Sequence, residues 1–567
     1  MEKFMIINGE NVPFTDEKNV LDVVRKAGID LPTFCYHSEL STYGACRMCI
    51  VEDEWGNIKT SCSEVPRDGM KIFTHTPKLR KHRRIILKLL LASHCRECTT
   101  CARSENCQLQ EMAARFGIRS IKFDKTEKAF KDEYKIDESS PAIVRDPNKC
   151  IHCGDCVRMC SEKQNVGAID FSQRGYELQV CPAFDMPIAE TECVNCGQCA
   201  AICPTAAIVV KDNTDAVWSD IYDKNKRVVV QVAPAVRVAF GEEFDLPAGE
   251  NVMPLLVAAM RKIGFDEIYD TSFSADLTVI EETNEFVEKL KEGKDLPLFT
   301  SCCPAWIKYV ENKRPEMMKH VSSCKSPQQM FGAVFKEYAK QDKDDKRETV
   351  VVSVMPCTAK KGEAIRDEFK DKDGVQEVDH VITTQELANM IYEAGVEFDE
   401  LEPEAHDMPF GMYSGAGLIF GVTGGVTEAV IRKVVEDKSN RGLDNIKYLG
   451  VRGLEGVKEF EVPLGDKSIK IAVVSGLKNA DDLIAKIQSG EAEYDFVEVM
   501  ACPNGCVNGG GQPYDPENFN KPQRAKGIYS ADKQTQIRHS DANPALTRIY
   551  DTYIGDKAHD LLHVHYE

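Results

Sequence analysis

Apolar and polar residues alternate through roughly the first 75 positions, as in "KFMIING", which predicts short strands. The alternation breaks at "TDEKNVLDVVRKAG". There Val20, Leu21, Val23 and Val24 recur at helical spacing after a capping residue, and a glycine stop follows. A basic, helix-like stretch, "TPKLRKHRRIILKLLLAS", comes next. Beyond residue 212 the pattern changes to short β-branched runs alternating with amphipathic segments. The runs are "RVVVQVAPAV", "LPLFTSCCPAW", "ETVVVSVMPC", "IKIAVVSG" and "YDFVEVMACPNGC", and they predict an α/β region. Several end in a motif with cysteine or proline. Ligands of α/β sheets sit beyond the carboxyl ends of the strands, so these motifs are candidates to converge on one site.

Length allows about four domains. The 567 residues are 43% apolar and 29% charged, ordinary for a globular chain. No apolar run reaches the ~18–20 residues of a membrane span, and the longest, "RIILKLLLAS" at 84–93, is broken by Lys88. The start, "MEKFMIINGE", lacks the parts of a signal peptide, so a cytoplasmic location is expected. A net charge of −20 disfavours nucleic acid and anionic membrane as partners. The 23 cysteines change the picture. Without an export signal, and at short metal-like spacings, they read as thiolate ligands rather than disulfides.

Cys35, Cys46, Cys49 and Cys62 are spaced C-x10-C-x2-C-x12-C. A loop with three ligands closed by a distant fourth suits a 2Fe–2S cluster, with zinc as the alternative. The spacing departs from the plant C-x4-C-x2-C run and resembles the N-terminal ferredoxin-like module of respiratory NADH dehydrogenases and hydrogenases. His94, Cys98, Cys101 and Cys107 follow as H-x3-C-x2-C-x5-C. One imidazole and three thiolates can hold a 4Fe–4S cluster or, from spacing alone, zinc. The basic stretch before them reads as a solvated face, with an electron-carrier docking surface as the weaker alternative. Cys95 and Cys181 fall outside the patterns.

The strongest local signal is a repeat. "CIHCGDCVRMC" and "CVNCGQCAAICP" each read C-x2-C-x2-C-x3-C. In the bacterial two-cluster ferredoxin fold the fourth cysteine of each run serves the other cluster. That assigns Cys150, Cys153, Cys156 and Cys203 to one 4Fe–4S cluster, and Cys193, Cys196, Cys199 and Cys160 to the second. Residues up to about 212 thus read as a wire of four clusters. The remaining cysteines are Cys302, Cys303, Cys324, Cys357, Cys502 and Cys506. No nicotinamide-type G-x-G-x-x-G follows a strand. The glycine-rich "SGAGLIFGVTGG" at 414–425 is read as close backbone approach to a bulky cofactor.

"TSCCPAW", "VMPCTAKKGEA" and "EVMACPNGCVNGGGQP" closely resemble the three motifs of iron-only (FeFe) hydrogenases, and the whole chain resembles their long members with four accessory clusters. The resemblance implies a multidomain α+β and α/β chain. Residues 1–78 would be a β-grasp, plant-type 2Fe–2S ferredoxin-like domain. Residues 79–126 would be a small 4Fe–4S domain ligated by one histidine and three cysteines. Residues 127–212 would be a bacterial-type ferredoxin-like domain with two 4Fe–4S clusters. Residues 213–567 would be the large α/β catalytic domain, with the active-site cluster between two lobes. That cluster, the H-cluster, joins a 4Fe–4S cubane to a two-iron unit carrying CO, cyanide and an azadithiolate. By resemblance, Cys303, Cys357, Cys502 and Cys506 hold the cubane, with Cys506 bridging to the two-iron unit. Lys360 faces a cyanide, and Ala233, Pro234, Pro327, Gln328, Met355, Phe420 and Met500 enclose the unit.

The implied reaction is the reversible reduction of protons to H₂. Electrons would come from ferredoxin or flavodoxin, protons through Cys302, Glu282, Ser322 and Glu285, and maturation proteins would load the two-iron unit. Glu282 and Glu285 lie three apart in "IEETNEFVEKL"; without the resemblance this acidic run reads as a solvated helix face, and Lys289 as a surface countercharge. Ala305 and Asn504 stand where glycine is common in the family, and Cys324 reads as inert core. Two other classes stay open: an electron-conduit subunit of an NADH or formate dehydrogenase complex, and a non-catalytic sensor or assembly protein.

Overall fold

The computed structural model describes residues 3–121, 134–342, 344–435, 450–464, 467–515 and 520–566. The expected boundary at 126/127 lies outside the described residues.

The first module is a mixed five-stranded sheet with Lys71–Phe73 at its centre, parallel to Lys3–Ile7 and antiparallel to Ile50–Asp53. The helix Val20–Lys26 packs on it. Asn19 caps its start by accepting from the Asp22 N–H (3.0 Å), and Val20, Leu21, Val23 and Val24 are all buried. The basic stretch forms the helix Pro77–Ser93, with Thr76 at its N-cap. The two ferredoxin-type runs lie between two short hairpin-like pairs, Ile143–Arg145 with Ile208–Val210 and Asp170–Ser172 with Gln179–Cys181. Cys181 is thereby a buried strand residue.

The remaining chain carries two four-stranded sheets. In the first, Glu267–Asp270, Lys226–Val232, Glu348–Met355 and His380–Thr383 are all parallel. A parallel sheet is covered on both faces, which is why "VVVQV" and "VVVSV" are nearly continuous apolar runs. Gln231 is the exception inside. Its Nε2 donates to Ser353 Oγ and to the Gln328 carbonyl, both at 2.9 Å, and Thr271 donates to its Oε1. This satisfied buried amide ties the start of helix Pro327–Gln341 to the centre of the sheet. The second sheet orders Leu298–Phe299, Phe496–Met500, Lys467–Ser475 and Val457–Leu464. All four runs ending in candidate ligands finish on the same kind of edge: Val232, Phe299, Met355 and Met500 are the last residues of parallel-paired strands.

The modules meet through backbone. A Cβ on Gly197 would lie 2.3 Å from Thr358 Oγ1, and one on Gly510 would lie 2.7 Å from the Cys196 carbonyl. Only glycine allows the Cys196 loop to approach the Cys357 motif this closely, and Gly197 is also left-handed at φ 70°. On the far side Arg158 donates to the Cys35 carbonyl (3.0 Å), and Arg103 donates to the Ala200 carbonyl (2.8 Å). Both N-terminal modules therefore rest on the same ferredoxin-type region. They branch from it rather than following one another in a single line. Gly197→Ala is expected to cost at least about 1–2 kcal/mol from the backbone conformation alone, with more from the contact with Thr358. A drop in apparent unfolding temperature of the cluster-loaded chain measures it.

Candidate active site

The site is built at four strand ends. After Leu298–Phe299 the chain stays extended through Cys302, and Pro304 begins the helix Pro304–Lys313 with Cys303 as its N-cap residue. The Cys303 carbonyl accepts from the Trp306 N–H (3.0 Å), so Cys303 belongs to the helix start. Its sulfur accepts from the Ala501 N–H (3.4 Å), which draws it towards the second-sheet motif. Cys357 follows strand Glu348–Met355, Cys502 follows Phe496–Met500, and Cys506 begins a short helical turn after Gly505. Burial pushes all four thiols up, Cys357 to about 11, and each of Cys357, Cys502 and Cys506 is raised further by its cysteine neighbours. The metal-free chain therefore holds four neutral thiols close together, and loading a cluster must release their protons.

Around them Ala233, Pro234, Pro327, Gln328, Met355, Phe420 and Met500 are buried, whereas Cys302, Cys303, Cys357 and Cys506 retain accessible surface. Accessible thiols ringed by buried neighbours fit a bulky occupant. Lys360 Nζ lies 3.1 Å from the Cys302 carbonyl and 2.9 Å from Glu363. Gln328 Nε2 donates to the same Glu363 carboxylate (3.1 Å), while its Oε1 is buried with no partner among the described residues. Glu363 had no sequence signal beyond its place in "AKKGEA". Asn504 has φ 69°, a left-handed conformation that asparagine tolerates and that explains a glycine preference there. Ala305 is an ordinary buried helical residue.

The accessory cysteines are also gathered. One cavity is lined by Cys160, Cys193, Cys196 and Cys199, and another by Cys150, Cys153, Cys156 and Cys203. Each cavity takes its fourth cysteine from the opposite run. In the first module the Cys46 thiol donates to Cys35 and holds it down at about 6, and Cys62 does the same for Cys49. Two pairs of thiols are what a two-iron cluster needs. His94 is buried, with Nδ1 lacking a partner among the described residues, while Cys98 is exposed and Cys101 and Cys107 are half-buried.

Glu282, Glu285 and their neighbours correct the solvated-face reading of the acidic run. In helix Ser272–Glu292, Glu282 is fully buried, and both its carboxyl oxygens lack a hydrogen-bond partner among the described residues. Burial, then the charge of Glu285, pushes it up to about 8, so it is neutral at pH 7. Burial and then Glu282 likewise raise the Cys302 thiol. Ser322 Oγ donates to Glu285 Oε2 (2.8 Å), and Lys289 lies 3.0 Å from Glu285 Oε1. Cys324 is fully buried in the core, as read, and its thiol also donates to Glu285 Oε2 at 3.8 Å. The glycine-rich stretch is also corrected. A Cβ on Gly417 would lie 2.2 Å from the Ser272 carbonyl, and one on Gly425 would lie 1.7 Å from the Ile419 carbonyl. These glycines let protein backbone meet protein backbone rather than a cofactor.

Glu282 also sets a pH dependence. Its folded-state pKa lies above the ordinary carboxyl value, so the folded chain holds a proton that the unfolded chain loses between about pH 4.5 and 8. Its contribution to stability is therefore full below that window and falls as pH rises through it. Apparent unfolding temperature is expected to decline less from pH 5 to 8 in Glu282→Gln than in the parent.

Comparison with known proteins gives the same picture. Residues 226–510 match the C-terminal domain of the iron-only hydrogenase large subunit, and 520–567 match the iron hydrogenase small subunit, a segment that sequence reading had not separated. Residues 5–77 match a 2Fe–2S cluster-binding domain, 83–122 the NADH-ubiquinone oxidoreductase-G iron–sulfur binding region, and 149–207 a 4Fe–4S dicluster domain. The chain is 41% identical to the NADP-reducing hydrogenase subunit HndD of Solidesulfovibrio fructosivorans, over 99% of this chain and 98% of that one. It is 37% identical to iron hydrogenase 1 of Clostridium pasteurianum over 100% of both. A solved FeFe-hydrogenase from Chlamydomonas reinhardtii superposes with a TM-score of 0.54 at 38% identity, covering 63% of this chain and 99% of that one. The chain, a mixed α/β iron–sulfur protein of several modules, belongs to the iron-only hydrogenase family.

Proposed function

We propose that this chain reversibly reduces protons to molecular hydrogen at an H-cluster, with electrons and protons arriving by separate routes. The observation that carries the reading is the fully buried Glu282 carboxyl, which lies between the Ser322 side and Cys302, whose neighbour Cys303 lies beside Cys357, Cys502 and Cys506. Cys303, Cys357, Cys502 and Cys506 hold the cubane. Ala233, Pro234, Pro327, Gln328, Met355, Phe420 and Met500 exclude water around the two-iron unit, and Lys360 offers a cation to a cyanide. When bound, the cofactor supplies the redox and hydrogen chemistry.

The protein's own work is proton transfer. Cys302 gives up its thiol proton and regains one from Glu282, which is neutral at pH 7 and so carries a proton to give. Ser322 and Glu285 return protons to Glu282. Electrons pass along one 2Fe–2S and three 4Fe–4S clusters. These are held by Cys35, Cys46, Cys49 and Cys62; by His94, Cys98, Cys101 and Cys107; and by the two crossed sets of ferredoxin-type cysteines. Residues 1–78, 79–126, 127–212 and 213–567 are the corresponding units.

Cys302→Ala is expected to keep every cluster, including the CO and cyanide infrared bands, yet lose at least roughly 10²-fold in methyl-viologen-driven H₂ evolution. Near-parent evolution by the loaded variant sinks the proton role. An iron-loaded parent lacking both bands and turnover would fit the electron-conduit or sensor and assembly readings instead.

Ferredoxin or flavodoxin is the proposed carrier. A second reading, an NADP-linked partner protein, is favoured by the name of the Solidesulfovibrio relative. This chain has no nicotinamide-type glycine run after a strand, so a nicotinamide would have to bind the partner. The isolated chain is expected to evolve H₂ from reduced ferredoxin and none from NADPH. Turnover with NADPH alone contradicts this. No described helix is long and apolar enough to cross a membrane.

A further inference from the structure

Glu285 has more partners than a one-way relay requires. Besides Ser322 and Lys289, it accepts from the Ser323 backbone N–H (3.1 Å) and from Ser323 Oγ (3.3 Å). Ser323 Oγ lies 2.9 Å from His563 Nδ1, and His563 Nε2 lies 3.2 Å from Glu281 Oε2. His563 belongs to the C-terminal "HDLLHVHYE". Its ring stacks on that of His559 with centroids 5.3 Å apart, and the His559 and His565 rings are 5.6 Å apart. His559 and His565 are exposed, whereas His563 is half-buried. A hydrogen-bonded row thus runs from His563 through Ser323 to the carboxylate at the outer end of the Cys302 route, and the solvent-exposed imidazoles of His559 and His565 pack against its outer end.

We propose that His563 forms a second proton entrance to Glu285, passing through Ser323 and loaded from the exposed His559 and His565; this rests on the proton route proposed above. Backbone bonds hold the branch in register. Val564 N–H donates to the Ser323 carbonyl (2.7 Å), and Lys325 N–H donates to the Leu562 carbonyl (2.8 Å). Each element packed on His563 contributes a titratable group. Helix Ser272–Glu292 presents Glu281 and, beyond Ser323, Glu285; the chain before Pro327 presents Cys324; Tyr550 donates to Glu281; and His559 lies one turn back along the same segment. Burial alone would raise Glu281, but hydrogen bonds from His563 and Tyr550 outweigh it and keep the carboxyl low. Glu281 is therefore an anion facing the Nε2 side of the ring.

The step is a proton shift with no redox change. A protonated His563 gives its Nδ1 proton to Ser323 Oγ as the Ser323 hydroxyl proton passes to Glu285 Oε2. Ser323 ends unchanged, His563 ends neutral with its remaining proton on Nε2 towards Glu281, and Glu285 ends protonated. A turn of the ring about Cβ–Cγ swings the bare Nδ1 away from Ser323, where a solvent proton reloads it, and the return turn restores the contact with Ser323. Run backwards, the same shift carries protons out during H₂ oxidation. An imidazole suits this task because it donates at one nitrogen while accepting at the other near neutral pH.

In the cluster-loaded enzyme, His563→Gln and Ser323→Ala are each expected to lower H₂ evolution per loaded site about three- to tenfold. This is less than the roughly 10²–10⁴ that loss of a sole proton donor costs, because the half-buried Glu285 keeps some direct exposure to solvent. Free imidazole is expected to restore His563→Ala and to leave Ser323→Ala unrestored. A readout independent of turnover is deuterium exchange of the protonated-carboxyl infrared band of Glu282, identified by its absence in Glu282→Gln. Exchange is expected to slow in both branch variants. Parent-like exchange in both, or a His563→Ala loss that imidazole does not touch, overturns the proposal. An active Cys302→Ala enzyme would instead sink the inner route. A dead Cys302→Ala enzyme beside unaffected His563 variants would remove only this branch.

Discussion

Adjacent residues at the start of a helix cannot send their side chains to the same place, and the active site is organised around that fact. Pro304 fixes the helix start, which commits Cys303 to the N-cap and leaves Cys302 in the extended segment before it. Cys303 then shares a centre with Cys357, Cys502 and Cys506, while Cys302 lies nearest in charge terms to Glu282. The N-terminal end of a helix carries partial positive charge and favours the thiolate that a metal needs. Burial raises both thiols, but backbone N–H groups and Lys360 pull Cys303 part of the way back, and the extended neighbour has no such help. In the proposed function, one sequence step thus separates the cluster ligand from the proton donor.

The same division extends outward. On the ligand side the approach to the site is backbone against backbone, with Gly197 and Gly510 allowing two loops to touch where any side chain would hold them apart. In the proposed function, that contact brings the Cys196 loop and the Cys357 motif, and the clusters they would hold, close together. On the proton side the approach is through side chains that titrate or rotate. Glu282 is left without a hydrogen-bond partner among the described residues, a costly arrangement that persists because the neutral acid tolerates it. The C-terminal segment completes that side. It brings His563 to Ser323 across 240 residues of chain, so the outer end of the route depends on the tail being docked.

Much of the architecture was legible in the sequence because its signals are local. Cysteine spacings of two and three residues, a doubled ferredoxin run and near-continuous apolar strands each lie within a dozen residues, and the structure forms the strands where those runs stand. What could not be read depends on distant placement. The three-residue spacing of Glu282 and Glu285 says that they share a helix face but not whether that face is inside. The glycines at 414–425 announce close approach without naming what approaches, and it proved to be the backbone of Ser272 and Ile419. The branching of the N-terminal modules follows from the Arg158 and Arg103 contacts, which no spacing encodes. Three histidines in the last nine residues were a visible signal, but only the fold connects them to Glu285.

The central claim is the division of labour between Cys302 and Cys303, and an anaerobic crystal structure of the fully loaded enzyme tests it most directly. The account predicts cubane thiolates from Cys303, Cys357, Cys502 and Cys506, with the Cys302 sulfur bound to no iron and turned towards Glu282. A cubane ligated by Cys302 in place of Cys303, or a Cys302 sulfur facing away from Glu282, would contradict it.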